Sequence, residues 1–292
     1  MSPVWLDNGL VRLGFVPALG GRLLSVQVGG WEFLWRNPSC VDAALLPVGG
    51  HVFAPNAGRM GDWVNYGGDK TWPAPQERWA GPPDPVLDSG PYTVSSSVGS
   101  ITLTSGLDPR TGLRITRRFD LVPGRTAFRL SLSATNESDR PVRWALWNVT
   151  QFPGGGDVVV GLRPGVARPV VDLVAGTGNP RYEPTADGRV LVPNQDVVGK
   201  LGFPGAAGWI TYVLDGYRAT LTFDVDESAE YPDHGSPLEV WLEHPLPSPI
   251  AALGDLDPPA RIVECEVLGP LTDLAPGSST ALTISAEFSH PA

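Results

Sequence analysis

Residues 10–38 read LVRLGFVPALGGRLLSVQVGGWEFLWRNP, and this stretch decides the fold class. Hydrophobic residues alternate in three runs, and the pairs Gly20-Gly21 and Gly29-Gly30 separate these runs. Alternation is typical of strands with one buried face, and paired glycines tolerate the positive φ angles of tight turns. The stretch therefore predicts three consecutive antiparallel strands joined by two hairpins.

The rest of the chain continues this pattern of short strands between turns. Glycine (35) and proline (31) exceed a fifth of the 292 residues, but 42% hydrophobic residues argue against disorder. The 3.6-residue period of an amphipathic helix is missing, as is any long internal repeat. We expect an all-β fold of roughly fifteen strands in two large antiparallel sheets, with few or no helices, and residues 1–292 as one domain.

Composition also limits partners and location. The formal net charge of -10 disfavours nucleic acid and anionic membrane surfaces as partners. The first ten residues lack a basic and apolar signal sequence, and no apolar run reaches membrane-spanning length, so we expect a cytoplasmic protein. Cys40 and Cys265 are then expected to be reduced and buried, and two cysteines with four scattered histidines disfavour a structural metal site.

Two carboxylates mark a late predicted strand, residues 261–268 (RIVECEVL). The two-residue period places Val263, Cys265 and Val267 on one face, which we expect to be buried. Glu264 and Glu266 then share the opposite face. Neighbouring carboxylates raise the pKa of one of them, which suits general acid or base catalysis, whereas a solvated strand face would explain them equally simply.

An aromatic segment, residues 66–76 (YGGDKTWPAPQ), lies in a region, 36–92, that we expect to be an irregular loop. Lys70, Trp72 and Gln76 combine an apolar platform with hydrogen-bonding groups, as a sugar site requires. The alternative is a structural lid in which Trp72 belongs to the core. Either reading places this segment against the sheet, because it is too aromatic for a linker.

These motifs resemble those of one superfamily. The opening hairpin resembles the N-terminal edge of the galactose mutarotase-like (aldose 1-epimerase-like) β-supersandwich, and residues 264–278 look like its C-terminal signature. Residues 67–76 are similar to a motif of its DUF4380-type branch. The resemblance implies a β-supersandwich with a sugar-binding cleft. It also implies no cofactor, because anomer interconversion needs only proton transfers.

The resemblance suggests roles for several residues. The glutamate base of the epimerases lies on a late strand, which makes Glu264 or Glu266 the candidate here, with Glu264 favoured. Arg59 corresponds to an arginine that contacts sugar hydroxyls, although the second arginine of that pattern is missing, and a structural arginine in a salt bridge is the alternative. Glu243 shares a strand face with Glu239 and Trp241, and this face is either directed at the sugar or a solvated edge.

The catalytic acid is where the sequence departs from the epimerases. The strand that carries their acid histidine corresponds to residues 144–152, which contain no histidine. Asn148 and Gln151 on that strand can bind hydroxyls but cannot deliver a proton at neutral pH. We therefore consider His51 first, and then Lys70, as the group that protonates the ring oxygen.

Three functions remain open at this point. The first is a carbohydrate-recognising protein that interconverts the anomers of an aldose or a sugar phosphate. The second is a non-catalytic protein that binds a sugar or glycan, which the missing strand histidine favours. The third is a structural domain with a vestigial cleft. A small-molecule sugar or glycan is the expected partner, and the oligomeric state is not predicted.

Overall fold

The computed structural model describes residues 2–56, 58–79 and 81–291 and is built almost entirely from strands. The strands are β1 (Val4–Asp7), β2 (Val11–Val16), β3 (Arg22–Val28), β4 (Trp31–Glu32), β5 (Asp69–Ala74), β6 (Thr93–Ser97), β7 (Ser100–Thr104), β8 (Leu113–Leu121), β9 (Ala127–Asn136), β10 (Val142–Pro153), β11 (Asp157–Leu162), β12 (Val171–Ala175), β13 (Glu183–Pro184), β14 (Arg189–Val192), β15 (Gly199–Gly202), β16 (Ala206–Leu214), β17 (Tyr217–Phe223), β18 (Leu238–Glu243), β19 (Ile262–Leu268), β20 (Thr272–Leu274) and β21 (Ser279–Ser289). The helical segments are single turns: Met60–Asp62, Gln76–Arg78, Pro85–Asp88, Pro232–Gly235 and Ala251–Leu253.

The strands form two large antiparallel sheets, as the sequence predicts. The first has eleven strands in the order β1-β2-β3-β5-β10-β19-β18-β15-β12, with β4 beside β3 and β20 beside β10. The second has ten, in the order β13-β14-β11-β16-β17-β21-β9-β8-β7-β6. Neighbouring strands are joined mostly by short turns, which the many glycines and prolines provide.

The main hydrophobic core lies between the two sheets. Each sheet contributes alternate side chains to it, such as Phe15 and Val263 from the first and Leu130 and Ile284 from the second. On β19 the predicted inner face is confirmed, since Val263, Cys265 and Val267 all belong to this core. Both cysteines, Cys40 and Cys265, are free and buried, as expected.

The opening hairpin forms as predicted, but its third strand is short. β2 and β3 pair along their length, and β4 ends after Glu32. The turn needs glycine for space as well as for φ: a Cβ on Gly20 would lie 1.9 Å from the Asp88 carbonyl oxygen. Beyond β4 the chain leaves the hairpin, and the Trp35 amide donates to the Gln151 carbonyl (3.0 Å) on β10.

The segment predicted to be a loop is instead a strand inside the first sheet, so that prediction is wrong. Residues 69–74 form β5, which pairs with β10 from Asp69 to Ala74. Its other neighbour, β3, pairs only at Leu23↔Asp69. Pro73 is therefore tolerated, because it lies beyond the end of β3 and its missing N–H breaks no ladder bond on that side.

A polar network crosses the core and joins the sheets. Arg117 of β8 is fully buried, forms an ion pair with the Asp69 carboxylate of β5, and donates to the Gly21 carbonyl (2.8 Å). Asn148 and Thr150 of β10 also donate to Asp69, each at 2.7 Å. A buried charge pair of this kind is costly to break, because removing one partner leaves the other charge buried and uncompensated. Within the described ranges, no helix has the length and hydropathy needed to cross a bilayer.

Candidate functional site

A cavity of about 650 Å³ lies on the face of the eleven-stranded sheet turned away from the core. Its floor comes from β5, β10, β19, β18 and β15, and its walls from the segments around residues 58–65, 76–83 and 253–256. Its lining residues are Gly58, Arg59, Met60, Trp63, Asn65, Trp72, Gln76, Trp79, Gly81, Pro82, Pro83, Trp147, Val174, Lys200, Trp241, Glu243, Leu253, Gly254, Leu256, Glu264 and Glu266.

Strand register brings the polar groups of the floor together. Gln151 of β10 lies opposite Glu264 of β19, which lies opposite Trp241 of β18. Trp241 in turn lies opposite Lys200 of β15. Because side chains at paired positions point to the same face of a sheet, these four groups form one row across the cavity floor.

Five tryptophans form the apolar part of the cavity. Trp72 is central, with its ring centroid 6.0 Å from Trp63, 5.5 Å from Trp79 and 5.3 Å from Trp147. Every indole N–H has a protein acceptor: Trp63 and Trp72 donate to Asp88, Trp79 to the Pro73 carbonyl, Trp147 to Glu266, and Trp241 to Glu243. The rings therefore offer their faces and edges, not their donors, to the cavity.

Asp88 fixes the orientation of this aromatic wall. Its carboxylate accepts from the indoles of Trp63 and Trp72 (both 3.1 Å), from Arg22 (2.6 Å) and from Asn56 (2.7 Å). Asp88 and Arg22 are fully buried, and such charge-assisted bonds are about twice as strong as neutral ones. Asp88 thus anchors two wall residues without lining the cavity itself.

Glu264 is held in the floor by two donors. Its Oε1 accepts from the Gln151 amide (2.6 Å) and from the Lys70 ammonium (3.2 Å). Glu264 remains 9% exposed to the cavity. Lys70 is buried behind it with its ammonium 4.6 Å from the Trp72 ring centre, and burial lowers the pKa of Lys70 despite the opposing attraction of Glu264.

A second buried group of charges surrounds Lys200. Its ammonium lies 2.8 Å from Glu266 and also pairs with Glu239. Burial raises the pKa of both carboxylates, and the Lys200 charge opposes this shift. Burial by itself would lower the pKa of Lys200, but attraction to the two carboxylates outweighs it and raises that pKa. One cation therefore serves two carboxylates in this part of the floor.

Glu243 differs from the other carboxylates because no cation pairs with it among the described residues. Its Oε2 accepts from Trp241 (3.1 Å), and its Oε1 lies 3.5 Å from the Asn65 amide. Burial, reinforced by the negative charge of Glu264, raises the pKa of Glu243 to about 8. A carboxyl group with this pKa carries its proton at neutral pH.

The structure brings most of the predicted site residues to this cavity. Six line it directly: Glu264, Glu266, Arg59, Trp72, Gln76 and Glu243. Lys70 and Gln151 contact Glu264 from behind. Arg59 is at the rim, 81% exposed and 3.5 Å from Asp62.

Two predicted residues lie elsewhere. The His51 imidazole is not among the lining groups, and its Nε2 is 3.1 Å from the Tyr66 hydroxyl in a separate cluster. Asn148 points to the core side of β10. Side chains alternate along a strand, so Asn148 lies on the other face from Trp147 and Gln151. Both placements correct the expectation that these side chains face the cleft.

Sequence reasoning missed three contributors. Lys200 is a lone cation in the apolar run VVGKLG, a pattern that could have indicated a buried, paired lysine. Trp147 occupies a position of β10 whose side chain points away from the main core, and strand alternation could have assigned it to the outer face. Asp88 follows no readable pattern, because its partners lie up to 66 residues away. No group of three potential metal ligands is found within the part of the chain that the structure describes.

The fold is that of galactose mutarotase-like proteins. A galactose mutarotase-like protein from Lactobacillus casei ATCC 334 matches with a TM-score of 0.59 at 14% identity, over 99% of this chain and 100% of its own. A galactose mutarotase related enzyme from Lactobacillus acidophilus matches with a TM-score of 0.54 at 14% identity, over 99% and 97%. A TPR-domain containing protein from Parabacteroides distasonis ATCC 8503 matches with a TM-score of 0.65 at 13% identity, over 99% of this chain. This chain spans 47% of the length of that third protein.

Within this fold the chain belongs to the DUF4380 family. The family model, described as a domain of unknown function, matches residues 1–285. No curated protein matches the chain. At such low identities the solved structures establish the fold alone, and the function has to be argued from the cavity.

Proposed function

We propose that this protein binds a carbohydrate in the tryptophan-lined cavity and interconverts its anomers by acid and base catalysis. The observation that carries the proposal is the meeting of tryptophan faces with Glu264 and Glu243, two carboxylates in contrasting environments. Similarity to the mutarotase-like protein from Lactobacillus casei supports a sugar-related function in general terms. The names of such proteins do not decide the activity of this one.

The cavity has the two surfaces that a sugar requires. Sugar rings present patches of C–H groups, which pack on aromatic faces such as those of Trp72 and Trp147. Their hydroxyl groups need polar partners, which Glu264 and Asn65 provide around the floor. A sugar bound there would exchange water for both kinds of contact.

The two carboxylates suit opposite roles in mutarotation. Glu264, held by Gln151 and Lys70, would take the proton of the C1 hydroxyl as general base. Glu243, which carries a proton at neutral pH, would donate that proton to the ring oxygen O5. The C1–O5 bond breaks and leaves an open-chain aldehyde, rotation about C1–C2 exposes its other face, and the reverse transfers restore both residues.

The register supports this pairing. Trp241 lies opposite Glu264 and Glu243 lies opposite Ile262, so the two glutamates occupy diagonal positions. Diagonal neighbours in a sheet are roughly 7–8 Å apart, and carboxylates at similar distances flank the anomeric carbon in glycosidases. Glu243 would thereby take the place of the missing histidine, a role that we first considered for His51 and Lys70.

The second candidate is binding without turnover. It is favoured by the lack of a histidine among the described lining residues and by the donors that already hold Glu264 and Glu266. We also propose a single domain over residues 1–292 and a cytoplasmic location. The cavity draws on residues from Gly58 to Glu266, and the two free, buried cysteines suit a reducing compartment.

Exchange NMR on the α and β anomers of glucose, galactose and their disaccharides tests the proposal. We expect the protein to accelerate exchange, and both Glu264→Gln and Glu243→Gln to abolish the acceleration while the sugar still binds. Glu77→Gln, at an exposed position, is the matched control and should behave like the parent. Ligand line broadening without exchange would establish the binding function instead, and no response from any sugar would contradict both.

A further inference from the structure

We infer that the cavity selects a neutral glycan of at least two sugar units and excludes sugar phosphates. The inference rests on the proposed function, because it concerns the same cavity, and it narrows the substrate class. Three independent features support it: the size of the cavity, the spacing of its aromatic surfaces, and the pairing of its charges.

The size of the cavity exceeds the needs of one sugar ring. Pockets of about 300–1,000 Å³ enclose drug-sized ligands, and the 650 Å³ of this cavity lies within that range. A free hexose, with about 12 non-hydrogen atoms, would leave much of this space empty, whereas a disaccharide, with about 23, would fill more of it. Unfilled space next to apolar walls would leave contacts unmade.

The aromatic surfaces lie on two separate parts of the floor. Trp147 of β10 lies opposite Leu268, whereas Trp241 of β18 lies opposite Glu264, four residues further along β19. The backbone positions of Trp147 and Trp241 are therefore separated by two strand spacings, about 10 Å across the sheet, and by four residues, about 13 Å along it. This separation is too large for one sugar ring to contact both Trp241 and the group around Trp72, so the two surfaces together suit a glycan of more than one ring.

The charges of the cavity leave no site for a phosphate group. The cations among the described lining residues are Arg59 and Lys200. Lys200 is held between Glu239 and Glu266, and Arg59 lies exposed at the rim beside Asp62. An anion on the floor would lose its hydration and meet carboxylates, without an unpaired cation to compensate.

The tryptophans reinforce this selection. All five indole N–H groups are used by protein acceptors, so the tryptophans offer no further donors to an anion. The ammonium groups of Lys70 and Lys200 also lie over Trp72 and Trp147, at 4.6 Å and 4.3 Å from the ring centres. The remaining aromatic surface therefore suits the C–H faces of an uncharged sugar.

Isothermal titration calorimetry of the full chain tests the inference with glucose, galactose, maltose, cellobiose, lactose and glucose 6-phosphate. We expect at least one disaccharide to bind about tenfold more tightly than its hexose, and glucose 6-phosphate to bind about tenfold more weakly than glucose. Trp241→Leu should lower the affinity for the disaccharide to that for its hexose. Trp209→Leu, on the other sheet, is the matched control, and Trp241→Met serves if the leucine variant unfolds.

The outcomes separate this inference from the proposed function. A hexose that binds as tightly as every disaccharide, or a phosphate that binds as tightly as its parent sugar, would overturn the inference and leave sugar binding intact. Retained disaccharide preference in both Trp241 variants would also overturn it. If none of the six sugars binds, the proposed function fails and the inference fails with it.

Discussion

Replacing Glu243 with glutamine is expected to remove a pH-dependent loss of stability. The pKa of Glu243 is raised from an ordinary value of 4.5 to about 8, so between these pH values the folded protein keeps a proton that the unfolded chain has released. Stability must then fall as pH rises, by about 1.4 kcal/mol per pH unit. At pH 7, about 2.5 units above 4.5, the loss is roughly 3 kcal/mol. Glutamine has the same shape and no proton to lose.

Urea unfolding followed by tryptophan fluorescence at pH 5, 6, 7 and 8 measures this effect. The difference in unfolding free energy between Glu243→Gln and the parent should grow with pH, from about 1 kcal/mol at pH 5 to roughly 3 kcal/mol at pH 7. Taking the difference cancels the other titrating carboxylates, and Glu77→Gln should show no such trend. A difference that stays constant with pH would refute the argument that Glu243 is buried with its proton.

Three further predictions concern the groups around the cavity. Asp88→Asn should raise the Kd for a bound sugar about tenfold, since it weakens the charged hydrogen bonds that orient Trp63 and Trp72; unchanged affinity in a titration would contradict its positioning role. Lys200→Met should lower the free energy of unfolding by about 3 kcal/mol at pH 8, because it strands buried carboxylates, and by less at pH 5; a chemical denaturation that shows equal losses would count against this. His51→Ala should leave sugar binding and anomer exchange at parent levels in NMR assays, and a large loss of either would return His51 to the site.

Much of the fold could be predicted because period-two patterns are local. The run over 261–268 predicts the inner face Val263, Cys265 and Val267, and all three are buried. The prediction of a loop for the segment that forms β5 failed because this strand contains a residue typical of loops. β5 contains Pro73, and proline is typical of loops. The proline is tolerated in this strand because the pairing of β5 with β3 ends before it, and the local sequence does not show where that pairing ends.

The candidate site was predictable only in part, for a related reason. Alternation along β19 correctly separates Glu264 and Glu266 from the core residues. For Asn148 the same reasoning requires knowing which residues of β10 face the core. Nearly the whole strand is buried, so its sequence does not distinguish the two faces. Asp88 and Lys200 act through partners that are distant in sequence. In addition, β15, which carries Lys200, is too short and glycine-rich to be recognised as a strand from its sequence.

A crystal structure of the protein soaked with a disaccharide that it binds would test directly whether Glu264 and Glu243 act on the sugar. One sugar ring should lie against Trp72 and Trp147, with its C1 hydroxyl within hydrogen-bond distance of Glu264 and its ring oxygen near Glu243. Sugar density outside this cavity, or a ring inside it whose anomeric carbon faces away from both carboxylates, would show that these two residues do not catalyse anomer exchange.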